Sequence, residues 1–246
     1  MKTTTKLWAA GFALLLAGSL GAIQGCAGKV PPIAAILPPT LPPLPANYID
    51  DFEDGDLNIN PRLTNSLNGF WANTTYGQTT QTFLVTAPVP GNGSANAVHL
   101  FGTYIDSGGG GYPAFQLQTY LRNDGNYYDA SSFTGIQFSW NCPSDDNSYQ
   151  RFFCLAVNRT TPPSQGGGCT GTPIPCYDHF SYTMPNTAGL WTSQSVTFSA
   201  MYNQYNSYAM LPSDLQQIIF LLWTNRSNNI AGNYTADFWV DNAQFF

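Results

Sequence analysis

The feature that most limits the fold is a series of short runs in which apolar and polar residues alternate, each closed by turn-forming residues. The clearest is Thr-Gly-Ile-Gln-Phe-Ser-Trp at 134–140, which sets Ile136, Phe138 and Trp140 on one side. Side chains of an extended strand point to opposite faces in turn, so this spacing predicts a strand with one buried face. Residues 81–86, 97–104, 114–121, 151–158, 191–198, 218–223 and 236–246 are read as further strands. Between the runs lie Asp-Gly-Asp at 54–56, Asn60-Pro61, a turn cluster at 88–96, four glycines at 108–111 and a long Gly/Pro loop at 160–175. About eight to ten strands so punctuated are the signature of a β-sandwich or barrel. Charged residues make up only 9% of the chain and Glu53 is its single glutamate, whereas a helical bundle would draw on Ala, Glu, Lys and Leu.

The N-terminus is read separately. A basic start (Lys2, Lys6) precedes an apolar run from residue 7 to 20 and then small residues. That run is too short to cross about 30 Å of hydrocarbon and is read as a secretory signal peptide. Ile23-Gln24-Gly25-Cys26 resembles the lipobox of bacterial lipoproteins, with Gln24 a less usual residue at its position. The resemblance implies lipidation of Cys26 and a membrane anchor; Ala27, where an aspartate would favour retention on the inner membrane, implies the outer one. Residues 27–47 are rich in proline and form a semi-rigid spacer of about 3.1 Å per residue. The expected organisation is a signal peptide over 1–25, a lipidated cysteine and linker over 26–47, and one folded domain over 48–246. Loss of Lys2 and Lys6 with the leader leaves six cationic side chains against fourteen carboxylates. Such a chain is repelled by phosphate backbones, which argues against nucleic acid as a partner.

The folded part opens with Tyr-Ile-Asp-Asp-Phe-Glu-Asp-Gly-Asp at 48–56, read as a short first strand whose counterpart is the last, at 236–246. This opening, then Trp71, Tyr-Asp-Ala-Ser-Ser-Phe-Thr-Gly-Ile-Gln-Phe at 128–138, Leu-Trp-Thr at 190–192 with Val-Thr-Phe at 196–198, and Asp-Phe-Trp-Val-Asp-Asn at 237–242 occur in that order. Together they resemble the galactose-binding-like jelly rolls, in particular the family 11 carbohydrate-binding modules and the related domain of complex I intermediate-associated protein 30. The resemblance spans 48–246 and implies an all-β jelly-roll sandwich of two antiparallel sheets, with a structural calcium and a concave face that takes a glycan. In such domains the glutamate after the first-strand phenylalanine and an aspartate of the final strand often hold the calcium. Those positions match Glu53 and Asp241, with Asp51 as a further candidate. The plainer reading is that these carboxylates only solvate the strand edges.

Four cysteines follow Cys26, and an even count in an exported chain reads as two disulfides with three possible connectivities. The expected pairs are Cys142–Cys154, closing a hairpin, and Cys169–Cys176, pinning the long loop; the spacing does not suit zinc. Sugar binding uses aromatic rings against pyranose faces and amides or carboxylates for the hydroxyls. Gln116, Gln118 and Tyr120 share one strand face, and Tyr177 and Asp178 follow the cysteine loop. Trp140 and Trp223 are candidates for the cleft margins, although an aromatic on a strand is more often core. His99, in an apolar strand, reads as structural. Hydrolysis of a glycan needs a pair of carboxylates, and neither that pair nor a Gly-x-Ser-x-Gly elbow is marked in the sequence. The expectation is therefore a lipid-anchored, non-catalytic domain that binds a polysaccharide or cell-surface glycan. The alternatives are a protein-interaction or assembly domain without sugar binding and, third, a glycan-active hydrolase or lyase.

Overall fold

The computed structural model describes residues 43–59, 66–76, 79–88, 93–106, 114–142, 149–171, 175–204, 209–224 and 232–246. The predicted signal peptide, Cys26 and the linker as far as residue 42 lie outside the described residues. Among the described residues eleven strands form two antiparallel sheets: a sandwich, one of the two architectures the alternating runs allowed, and the jelly roll that the resemblance implied. The six-stranded sheet runs in the order β3 (Thr79–Pro88), β4 (Asn96–Asp106), β11 (Gly232–Phe245), β6 (Gly135–Asn141), β9 (Thr192–Thr197), with β1 (Tyr48–Asp50) added on β11. The five-stranded sheet runs β2 (Phe70–Tyr76), β5 (Ala114–Tyr120), β10 (Leu215–Thr224), β7 (Tyr149–Val157), β8 (Phe180–Thr183).

Alternation decides which side chains meet between the sheets. Ile136, Phe138 and Trp140 of β6 and Phe238 and Val240 of β11 face Phe153, Leu155 and Val157 of β7 and Ile218, Phe220 and Leu222 of β10 across one core. Phe138 touches Phe153 and Phe220 at centroid distances of 4.8 Å each, the second contact edge-on at 88°. Each such side chain contributes about 1.5–3 kcal/mol through burial alone.

One buried carboxylate ties the sheets together at the start of the domain. Asp50 belongs to β1, which pairs with β11 as the sequence suggested. Its Oδ1 accepts a hydrogen bond from the Phe52 amide at 2.9 Å, and its Oδ2 accepts one from Trp71 Nε1, on β2 of the other sheet, at 2.8 Å. The first bond closes a tight turn in which Phe52 takes φ = 56°, and the Phe52 ring then lies 5.2 Å from the Trp71 indole. Burial pushes the Asp50 carboxyl well above the usual carboxylate range; the two donors oppose that shift, and Asp54 and Asp51 add to it.

The cysteine expectation holds for one pair only. Cys169 and Cys176 form a disulfide with a Cα–Cα distance of 5.6 Å. Cys142 and Cys154 are both buried thiols, not joined to each other. They were expected to close a hairpin, but β6 and β7 belong to different sheets. Cys142 lies in the central core, whereas Cys154 alternates with Phe153 and Leu155 and so emerges on the opposite face of β7.

Because the Asp50 pKa is higher folded than unfolded, its contribution to stability is full below the unfolded pKa and is lost as pH rises through the folded value. In urea unfolding the Asp50 component of stability should therefore fall as pH rises above the ordinary carboxylate range. Asp50→Ala should flatten that component and cost about 1–3 kcal/mol at pH 4 by stranding the Phe52 and Trp71 donors. An unchanged pH profile in the variant would contradict the assignment.

Candidate functional site

On the five-stranded sheet the face turned away from the core is unusually apolar for an outer surface. Register places side chains of this face in rows across the strands: Ala72, Gln118, Ile219, Cys154 and Ser181 in one, Thr74, Gln116, Leu221, Phe152 and Thr183 in the next. Trp223 follows between Ala114 and Gln150. A cleft of about 960 Å³ lies over this surface. Phe152, Cys154, Ile219 and Leu221 line its apolar part, and Gln116, Gln150, Gln165 and Gln204 supply amides around it.

The wall beyond β7 and β8 is a loop that the sequence builds with short-range devices. After β7 come two 3-10 turns, Asn158–Thr160 and Pro163–Gln165, the second ended by Gly166 in the left-handed region at φ = 81°. The Gly166 carbonyl accepts the Tyr127 hydroxyl at 2.8 Å. The Cys169–Cys176 disulfide then delivers the chain to Tyr177, whose amide donates to the Thr160 carbonyl at 2.8 Å. Tyr177 holds φ = 71°, a strained value for a residue with a Cβ, kept by those constraints. Its ring is 54% exposed and stands edge-on to His179, 6.2 Å away. Asp178 Oδ1 accepts the backbone N–H of Gln204 at 3.1 Å. Nearby, reciprocal backbone bonds between Ser181 and Tyr202 fix the segment that carries the Tyr202 ring, 51% exposed.

Burial shifts two titrating groups of the cleft, His179 and Cys154. His179 Nδ1 lies 2.9 Å from Thr160 Oγ1, and burial pushes its imidazole down to about 4, so it is neutral at neutral pH. Burial likewise pushes the Cys154 thiol up to about 12, which leaves a thiol rather than a nucleophilic thiolate.

Of the side chains singled out in the sequence, Tyr177, Asp178, Gln116 and Trp223 come together around this cleft, with Trp223 at 36% exposure. Gln118 and Tyr120 continue the same face of β5, joined by hydrogen bonds from Gln116 to Gln118 and from Gln118 to the Tyr120 hydroxyl at 3.5 Å. Trp140 does not reach the cleft. It lies on the other sheet, fully buried with Ile136 and Phe138, and its Nε1 finds no hydrogen-bond partner among the described residues. Sequence reasoning missed Tyr202 and Gln204, because their segment carries no alternation and is brought to the site by bonds to Ser181 and Asp178, more than twenty residues away in the chain.

The expected calcium ligands lie elsewhere, where the first turn meets the last strand. Glu53 Oε1 accepts the Ala95 and Asn96 amides at 2.9 and 3.4 Å. Asn242 reaches Ser94 Oγ at 3.4 Å and donates to both oxygens of Asp241. Asp51 Oδ1 accepts the Glu53 amide at 3.3 Å. Among the described residues, no three His, Cys, Asp or Glu side chains form a group that could hold a metal ion.

No protein-family model matches the chain, and no curated protein does. Several solved structures are similar to it. A family 11 carbohydrate-binding module from Clostridium thermocellum, in complex with a β-1,3-1,4-mixed-linked tetrasaccharide, aligns at 20% identity over 81% of this chain and 94% of its own, with a TM-score of 0.46. A CBM28 module described as specific for non-crystalline cellulose aligns at 15% identity over 83% and 96%, with a TM-score of 0.43. An exo-β-agarase aligns at 10% identity over 81% of this chain but only 25% of its own, with a TM-score of 0.48.

The thiol arrangement predicts a peptide map. Unreduced protein should yield a linked Cys169–Cys176 fragment. Cys142 and Cys154 should resist iodoacetamide at pH 8 in the native state and alkylate fully in guanidinium. Recovery of a Cys142–Cys154 fragment would overturn the assignment.

Proposed function

We propose that this is a non-catalytic carbohydrate-binding domain of the bacterial envelope, lipid-anchored in the outer membrane through Cys26, that holds a neutral polysaccharide in the cleft of the five-stranded sheet. The observation that carries this reading is the grouping of three exposed aromatic rings, Tyr177, Tyr202 and Trp223, with amide side chains around an apolar surface. A pyranose presents C–H faces to such rings and hydroxyls to such amides. Among the described lining residues none is a lysine or arginine, His179 is neutral and Asp178 is a carboxylate, a combination that favours a neutral glycan over an anionic one. Asp178 is also the one carboxylate among them, where glycosidases pair two about 5–10 Å apart; this supports binding rather than cleavage. The proline-rich segment would serve as the spacer between anchor and domain.

The proposal includes a structural calcium held by Glu53, Asp241 and Asp51. Its support is that Glu53 of the first turn and Asn242, bonded to Asp241 of the last strand, both reach the turn at 94–96; the three carboxylates do not form one group as they stand, so the ion would draw them together and take backbone carbonyls as well. At calcium a hundredfold above its Kd the thermal midpoint should rise by about 5 °C over that in chelator, and Glu53→Gln should remove most of the rise. Equal midpoints would sink the calcium site without touching the sugar site.

Affinity electrophoresis through gels containing soluble β-glucan, xylan, mannan or agarose tests the function itself. The protein should be retarded by at least one polymer, and Tyr177→Ala, Tyr202→Ala or Trp223→Ala should each weaken binding about tenfold. Absence of retardation by any polymer, with a native melting transition, would remove the glycan reading and leave a protein-interaction domain as the better one.

A further inference from the structure

The binding face does not end at the cleft. On the same side of the five-stranded sheet, two rows from Gln116, Phe70 of the edge strand β2 pairs in register with Tyr120 of β5. Their rings are stacked at 5.4 Å with planes 29° apart, and Phe70 is 42% exposed. Edge strands more often carry charged residues or proline, which discourage sticking; a stacked aromatic pair is the opposite choice.

What lies between the pair and the cleft is equally informative. Gln116 lines the cleft and donates to Gln118, which in turn donates to the Tyr120 hydroxyl. The amides thus form one continuous strip along β5, about 13 Å from residue 116 to residue 120. Small side chains flank it towards the sheet edge, Ala72 beside Gln118 and Thr74 beside Gln116. A ring face at one end, a low flank towards the sheet edge and two amides, each with only its outer surface open, repeat the chemistry of the cleft itself.

We propose that the Phe70–Tyr120 pair is a second sugar platform, and that a glycan chain seated in the cleft continues along the β5 amide strip to stack on it. This rests on the glycan-binding reading above and adds to it a direction for the bound chain and a dependence on chain length. Short oligosaccharides fill the cleft alone, and longer ones gain the platform.

The test uses the full chain and the gel polymer that retards it, together with the trisaccharide and octasaccharide of that polymer, by isothermal titration calorimetry. Wild-type protein should bind the octasaccharide more tightly than the trisaccharide. Phe70→Ala should weaken the octasaccharide and the polymer by roughly three- to tenfold while leaving the trisaccharide unchanged, and Phe70→Trp should restore the long-chain advantage. A melting transition of Phe70→Ala matching wild type excludes a folding defect. If Phe70→Ala binds octasaccharide and polymer like wild type, or weakens all three ligands equally, the platform is overturned while the cleft stands. If wild-type protein is retarded by none of the polymers, both readings fall.

Discussion

Side chains alternate across an extended strand, and in a two-sheet sandwich the core can take only one face of each sheet. β10 makes the consequence visible. Ile218, Phe220 and Leu222 enter the core, while Ile219, Leu221 and Trp223 emerge on the outer surface. The run Ile-Ile-Phe-Leu-Leu-Trp at 218–223 therefore shows no polar alternation, because neither face of this central strand is built for plain solvent. The inward set holds the sheets together, and the outward set becomes the apolar floor of the cleft. Core packing and candidate site are two sides of one strand.

Around that floor the sheet supplies amides and the loops supply rings. Gln116 and Gln118 are placed by strand register, so their spacing is as rigid as the sheet. Tyr177 and Tyr202 sit on irregular backbone, and each is held by specific bonds: the disulfide and the Thr160 carbonyl for the first, the Ser181 bridge for the second. Asp178 links the two segments through the backbone N–H of Gln204. The proposed binding role would need this kind of support, since a ring free to rotate would lose entropy on meeting a ligand. At the start of the domain Asp50 has a structural role of another kind, joining β1 of one sheet to Trp71 of the other through a fully buried carboxyl.

Much of the fold was legible in the residues. The alternation at 134–140 marks β6 and its inward face, and the first and last strands pair as their composition suggested. The same pattern also contains the reason Trp140 belongs to the core: it shares a face with Ile136 and Phe138, which outweighs any appeal of an aromatic at a strand end. The cysteines were harder. Cys142 and Cys154 flank the connection between consecutive strands, and sequence distance alone does not distinguish a hairpin within one sheet from a crossing between two. Tyr202 had no local signal at all.

By itself the sequence determined the class of fold, the extent of most strands, which faces are apolar and that Cys169 lies within loop distance of Cys176, since periodicity, turn residues and short loops are local properties. Tertiary structure alone decided which sheet each strand joins, and with it that Cys142 and Cys154 part company, that Trp140 is enclosed, and that Gln116, Tyr177, Tyr202 and Trp223 surround one cleft. Those outcomes depend on pairing between residues far apart in the chain, such as β5 with β10, and such pairing is selected by the packing of the whole core rather than by any stretch within it.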